Sequence, residues 1–489
     1  MAFIDSTVVN VALPTLQSSL GGTVTDLQWV VEAYGLLLGA LILVGGSLGD
    51  LLGRRRMFLA GVTVFAVASA GCGLAPNIRL LVLARVVQGL GAAFLVPGSL
   101  SIISVSFPEA DRGRAIGVWS GYTAITTAAG PILGGWLIEH ASWRWAFFIN
   151  VPLAAGVIAL SLWRVPESRS PVRGNIDWVG ALISTAGLGC LVYGLIESSR
   201  LGWSDPLVWG SLTAGCLCLV AFILTEARVD SPMVPLQLFH SRDFSGANLI
   251  TLFLYAALGI FFFVFPLDLI QVQHYSATAA GAAALPLILL VFLLSRWSGG
   301  LVAHYGARKP LIIGPLIATV GFALSAAPSV GGTYWRTFFP AFVVLGLGLA
   351  VSVAPLTTVV MNSVDQARTG TASGINNAVA RVAGLISIAV LGVAMTSAFR
   401  LHLNHSLAGL VIPVRAVRDL QSNEIRLAAL TVPPEVDSNT AAAIRASIEQ
   451  SFVFAFRVIM AICAGLSVTS AAFAWRMMKP RHFNSTPRS

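Results

Sequence analysis

Three ionisable side chains, Asp5, Glu32 and Arg85, lie inside stretches that are otherwise apolar. An ionised group in hydrocarbon costs at least about 2.5–3.5 kcal/mol, so such residues are expected to pair or to serve a function. Asp5 and Arg85 are opposite in sign. Burial favours a neutral carboxyl and a nearby guanidinium favours the charged one, and that balance lets one carboxylate bind and release a proton. A fixed ion pair that only joins helices is the alternative. Glu32 is the third proton-coupling candidate; about one turn inside its stretch, it equally suits a carboxylate at the membrane surface. A second polar set is Gln88, Asn376, Asn377 and Arg381, the candidates for a substrate cavity. Asn377 and Arg381 are one turn apart and share a face. Arg381 can contact substrate, pair with a distant carboxylate or bond helix-end carbonyls.

Two glycine constellations accompany these residues. The run Gly46-Ser47-Leu48-Gly49-Asp50-Leu51-Leu52-Gly53-Arg54-Arg55-Arg56 joins two apolar stretches. Gly46 and Gly49 allow close backbone approach and Gly53 a tight turn. Asp50 can face a helix N-terminus or a loop arginine such as Arg54, a charge lock that can be broken and remade. The second is Gly130-Pro131-Ile132-Leu133-Gly134-Gly135. Gly130 and Gly134 share a face that a neighbouring helix can approach closely, and Pro131 permits a kink. A plain packing seam explains it equally well.

The elements that must position these residues are apolar helices. A spanning helix needs about 20 apolar residues. The sequence predicts fourteen, at 1–17, 28–49, 57–75, 79–106, 114–138, 144–163, 178–197, 207–227, 245–268, 277–303, 309–327, 335–361, 370–398 and 451–476. Of the 489 residues 56% are hydrophobic and only 10% charged, against roughly 25% charged in a soluble chain. This is an all-α integral membrane protein. One long polar, proline-bearing loop is expected near 399–450, with Ala441–Gln450 as a helical lead-in to the last span. The five cysteines all fall inside apolar stretches and read as packing residues. No metal site, cofactor or nucleophile–base pair is indicated, so an enzyme is not expected. Trp143, Trp145, Phe147 and Phe148 read as an interfacial belt. Phe261–Phe265 can line an apolar cavity or face lipid, while Arg296 and Arg457 sit where snorkelling suffices.

Lysines and arginines set the orientation. One set of connections, with the C-terminal tail, carries seventeen of them, and the short loops of the other set carry Arg79, Arg144, Arg200 and Arg336. The rich side is cytoplasmic, which places both termini inside and the chain, multi-pass, in the cytoplasmic (inner) membrane. The net charge of +9 is thereby a topology signal and not a sign of nucleic-acid binding. A weak internal repeat, offset by roughly 253–257 residues, aligns Gly89-Leu90-Gly91 with Gly346-Leu347-Gly348, Gly53-Arg54-Arg55 with Gly306-Ala307-Arg308, and the glycines of 112–117 with those of 369–374. It predicts two six-helix bundles with two extra helices between them: 1–163, a linker region 164–243 holding the extra pair, and 244–489. Residues 1–16 span only about 24 Å as a helix, which places Asp5 at the membrane edge and suggests a native chain that begins further upstream.

Over essentially its whole length the chain resembles the major facilitator superfamily, in its fourteen-helix drug–proton antiporter branch. The resemblance rests on Asp5-Ser6-Thr7-Val8-Val9-Asn10-Val11-Ala12-Leu13-Pro14, on the Gly46–Arg55 loop, on Leu81–Ala93 with Arg85 and Gln88-Gly89-Leu90-Gly91, on Gly117 through Gly135, and on Trp143-Arg144-Trp145 with Asn150-Val151-Pro152. Leu51 stands for the usual arginine, Thr126 for a common glycine, and Ala303 for the carboxylate of the second loop copy. Glu32 and Asp268 stand where uncharged residues are commoner. The resemblance implies alternating access between two bundles, with drugs or other lipophilic or cationic small molecules exported against protons. It implies Asp5 and Arg85 near the proton relay, Asp50 and Arg54 in the cytoplasmic gate, and Gly130–Gly135 in exporter-type packing. The expected partners are a small-molecule substrate, protons and the bilayer, joined by a periplasmic adaptor if the cell has two membranes. A dedicated exporter of one metabolite or siderophore, and a non-transporting membrane sensor, are the competing readings.

Overall fold

Capping residues written into the sequence start several of the helices. Gly21, at φ 65°, ends α1 (Ala2–Leu20), and a reciprocal capping box between Thr23 and Asp26 opens α2 (Val24–Leu52). Gly53, at φ 118°, turns the chain into α3 (Arg54–Leu74), and Asn77 caps α4 (Ile78–Ser106). The structure, a computed structural model, describes residues 1–107, 122, 126, 129–169, 177–229, 232–331, 333–364, 369–410 and 412–478. Within them, 129–140 form α5, followed by α6 (Trp145–Phe148) and α7 (Asn150–Arg164). Asp177 and Asp205 cap the hairpin of α8 (Trp178–Leu201) and α9 (Pro206–Glu226). α10 (Arg242–Leu267) runs into a π-helical turn, Asp268–Val272. There follow α11 (Ala277–Ala283), α12 (Leu285–Gly299), α13 (Leu301–Tyr305), α14 (Arg308–Ser325), α15 (Phe338–Asn362), α16 (Thr369–Leu407), α17 (Val414–Ser422) and α18 (Ser438–Met477). No strand occurs among the described residues.

Twelve segments of the described chain are long and apolar enough to cross a membrane. The expected first span is the 19-residue α1, and most of the fifth lies outside the described residues, as do Arg112–Gly117 of the repeat, Arg173, Arg368 and the tail beyond Met478. The expected loop at 399–450 is largely helical. α16 continues to Leu407 and α18 begins at Ser438, absorbing the lead-in. Between them Leu420, Leu427 and Leu430 are buried. The prolines there start and stop short helices, and buried leucines fold the segment onto the body.

The packing repeats. α3 crosses α4 where a Cβ on Gly61 would stand 2.9 Å from the Gly91 carbonyl, and α14 crosses α15 where a Cβ on Gly314 would stand 2.9 Å from that of Gly348. Gly89 meets Tyr34 of α2 as Gly346 meets Leu287 of α12. Gly53 and Gly306 both take positive φ at the two copies of the loop. α2, α3, α4 and α7 pack together, as do α10, α12, α14, α15, α16 and α18. The α8–α9 hairpin leans on both groups, through α2 and α16.

Candidate functional site

Asp5 and Arg85 are the core of a buried polar cluster. Both are essentially inaccessible, at 0% and 1% exposure. Arg85 Nη1 donates to Asp5 Oδ2 at 2.6 Å and to Gln88 Oε1 at 2.7 Å, and its Nε donates to the Val30 carbonyl at 2.9 Å. Gln88 Nε2 donates to Asp5 Oδ1 at 2.7 Å, and Asn150 Nδ2 donates to the same oxygen at 3.1 Å. Both amides also reach Ser69 Oγ, which donates to the Phe147 carbonyl. The guanidinium lies 4.2 Å from the centre of the Tyr34 ring. Four elements therefore converge on one carboxylate. Asp5 is enclosed by α3, α4 and α7, because α4 delivers Arg85 and Gln88 one turn apart.

Beside this cluster lies a cavity of about 400 Å³ between the two groups of helices. Its wall includes Ser6, Asn10, Glu32, Tyr34 and Arg85 on one side and Tyr255, Phe262, Arg381 and Leu385 on the other. Glu32 sits eight residues into α2, fully buried, and neither carboxylate oxygen has a hydrogen-bond partner. It is therefore shielded from solvent by the surrounding helices. Arg381 Nε likewise lacks a partner. An unpartnered carboxylate and an incompletely satisfied guanidinium on facing walls leave the cavity ready to accept polar ligand groups.

The other three residues expected at the cavity lie elsewhere. Gln88 is consumed by the Asp5 cluster. Asn376 donates to Asn248 Oδ1 at 3.1 Å and Thr251 Oγ1 at 2.7 Å, joining α16 to α10. Asn377 is exposed and bonds back to Ser373 of its own helix. The phenylalanine run is neither lipid-facing nor cavity-lining except at Phe262; Phe261 and Phe265 stack inside the second helix group with Phe322, Phe338 and Phe342. Of the aromatic belt, Trp143 and Phe147 are buried, and Trp143 Nε1 donates to Ser19 Oγ at 3.1 Å. Arg457 donates to the Ala326 carbonyl at the end of α14.

At the loop of Gly46–Arg56, Asp50 lies within α2, its side chain outside the described residues. The acid found on the N-terminus of α3 is Glu167, from the connection after α7. It accepts from the Arg55 and Arg56 amides at 3.1 and 3.2 Å, while the Arg54 amide donates to the Ser168 carbonyl at 2.9 Å. A Cβ on Gly53 would stand 2.8 Å from Glu167 Oε1, so the bare backbone is what admits that carboxylate. Gly46 faces Pro97 of α4.

The α5 glycines serve two neighbours. Gly130 and Gly134 press on Thr7 and Val8 of α1, whereas Gly135 presses on the Ala277 and Thr278 backbone at α11, where Gly281 meets the Pro131 carbonyl. Thr278 N donates to Glu139 Oε2 at 3.3 Å. Further links at the end of the molecule that carries Gly21 are Gln17 to the Arg426 carbonyl, 3.0 Å, Gln271 to Gln17, 2.8 Å, and Gln28 to the Ile388 carbonyl, 2.8 Å.

Two helix groups related by an internal repeat, closing around a polar-lined central cavity and built from membrane-crossing helices, define a multi-pass membrane transporter architecture. The chain belongs to the Major Facilitator Superfamily, whose family description matches residues 1–388. It is similar to the "Tetracenomycin C resistance and export protein" of Streptomyces glaucescens, 35% identical over 400 residues that cover 81% of this chain and 74% of that one. It is also similar to the "Multidrug resistance protein Stp" of Mycobacterium tuberculosis (strain ATCC 25618 / H37Rv), 37% identical over 404 residues, 80% of this chain and 73% of that one. Among solved structures, a bacterial homologue of the human lysosomal transporter Spinster, inward-facing, shares the fold at 18% identity with a TM-score of 0.66, covering 98% of this chain and 96% of that one.

Proposed function

We propose that this protein is a proton-coupled efflux transporter that exports drugs or other lipophilic or cationic small molecules by alternating access. The observation that carries the reading is the union of a buried carboxylate–guanidinium cluster with a cavity that shares its Arg85 wall. A proton arriving on Asp5 breaks the charge balance with Arg85. The freed guanidinium then acts on the cavity, whose Glu32 attracts cationic ligands. The resistance and export names of the relatives support the direction of transport. With both termini in the cytoplasm of the inner membrane, the end bridged by Gln17, Gln28 and Glu139 is the outer one. Asp50 and Arg54 belong to the cytoplasmic gate, with Glu167 holding it in shape. The bundles are 1–163 and 244–489, and 164–243 carries the accessory hairpin.

A susceptibility panel in an efflux-deficient host, with dye efflux measured in proteoliposomes under an imposed pH gradient, tests the proposal. Resistance to several unrelated compounds that collapses when the gradient is dissipated is the expected result, and efflux indifferent to the gradient overturns it. A single hit favours the narrower reading, export of one compound, which the relative named for tetracenomycin C supports.

A further inference from the structure

We propose that Asp177 and Glu226 hold one shared proton between them, forming a proton-binding site at the foot of the α8–α9 hairpin, apart from the central cavity. Asp177 is 8% exposed and Glu226 3%. Each carboxyl spends one oxygen on the backbone. Asp177 Oδ1 accepts from Gly180 N at 2.7 Å and caps α8, and Glu226 Oε2 accepts from Val234 N at 2.9 Å. The remaining oxygens, Asp177 Oδ2 and Glu226 Oε1, are buried with no donor. They converge on one point. A Cβ at Gly180 would collide with Asp177 Oδ2 and stand 2.8 Å from Glu226 Oε1, so both oxygens border the same bare backbone position.

Two buried acceptor oxygens facing each other repel unless positive charge lies between them. Among the described residues no arginine, lysine or histidine pairs with either carboxylate, and nearby Arg228 is exposed. A calcium ion takes about 6–8 oxygens and magnesium an octahedron. Two free oxygens do not supply that, and no metal-competent group of three or more such side chains occurs among the described residues. A proton needs only two acceptors. The helix ends decide its position: the N-terminus of α8 favours the ionised form of Asp177, while the C-terminus of α9 disfavours a negative Glu226. The Glu226 hydroxyl therefore donates to Asp177 Oδ2. The bond staples together the two connections that tether the hairpin, one arriving from Glu167 and the other leaving past Val234.

The test is pH-dependent hydrogen exchange of the full-length protein in nanodiscs, corrected for intrinsic rates, in peptides covering 177–182 and 226–236. Protection at low pH that falls about tenfold in both peptides together once the proton leaves is expected. Glu226→Gln, whose amide donates to Asp177 at any pH, is expected to hold the protection throughout. Should that variant fail to fold, the infrared band of a protonated carboxyl in the wild type, absent in Asp177→Asn, carries the same information. A Glu226→Gln profile identical to the wild type overturns the proposal. So does protection that follows added Mg²⁺ or Ca²⁺ at constant pH, which assigns a metal site instead.

Discussion

The two halves of the molecule are built on one plan and filled with opposite chemistry. Glycine crossings recur at matching positions, Gly61 on Gly91 and Gly314 on Gly348. Arg85, four residues before Gly89, corresponds to Phe342, four residues before Gly346. Where Arg85 meets Asp5 at 2.6 Å, Phe342 meets Phe261 with ring centres 5.9 Å apart and Phe265 at 4.8 Å. One half thus holds a buried charge pair, and the other an aromatic block in its place. The difference teaches that one repeated scaffold can carry a buried ion pair in one copy and aromatic packing in the other. The loops differ likewise, since Ala303 occupies the place of Asp50.

The hardest test of this division is Asp5→Asn. Uphill, gradient-driven efflux in proteoliposomes is expected to vanish while downhill flux persists, because the helix groups can still move. Uphill pumping at the wild-type rate would make Asp5 structural and pass the role to Glu32. Next come two variants with equal stability costs and unequal functional ones. Arg85→Ala strands a buried carboxylate and is expected to cost about 3–5 kcal/mol, and Phe342→Ala to cost about 3–5 kcal/mol through a core cavity. Only the first should abolish gradient coupling per folded molecule, as detergent melting curves combined with transport assays would reveal. Retained coupling in Arg85→Ala would erase the contrast.

A smaller effect is expected at the gate. Glu167→Ala removes the acceptor on the α3 N-terminus and should lower stability by about 0.5–2 kcal/mol; the same change at exposed Glu435 should leave melting unmoved. The smallest concerns the segment after α17. Burial holds the Glu424 carboxyl above its usual range, an effect that Arg400 at 3.6 Å partly offsets. The folded chain then binds a proton more readily than the unfolded chain. That stability is fully present below the ordinary carboxylate range and is lost as pH rises through the raised value. Hydrogen exchange across 420–430, corrected for intrinsic rates, should quicken as pH rises above the ordinary carboxylate range, and Glu424→Gln should flatten the response.

Much of this was legible in the sequence, for reasons that differ by residue. Asp5 and Arg85 stand out because a charge in an apolar stretch demands a partner, and the structure supplies it. The helices follow from apolar length and from caps such as Thr23 and Asn77. The cavity wall was harder to read. Spacing places Asn376 and Arg381 on one helix but does not say that Asn248 and Thr251 lie 128 and 125 residues earlier, ready to absorb the amide. Ser69 and Asn150 are small polar residues whose purpose appears only once three helices converge on Asp5. Glu167 escaped notice because its hydrogen bonds go to amides 112 and 111 residues away, and backbone donors leave no trace in a sequence. The 399–450 segment was misread because its prolines and charges resemble a loop, while its buried leucines are too sparse to show a period.

The α8–α9 hairpin also gives the molecule a spine. Leu188 packs with Leu36, Ala40 and Leu385, and Val192 and Ile196 with Ala389, while Trp29 Nε1 donates to Glu197 at 2.9 Å. These contacts bind one margin of the two halves along α2 and α16, as a book is bound along one edge. The opposite margin is joined differently, by Gly135 against the Ala277 and Thr278 backbone, Gly281 against the Pro131 carbonyl and Thr278 N on Glu139. The two margins are therefore unlike: apolar side chains interlock along one, and glycine backbone meets neighbouring backbone along the other.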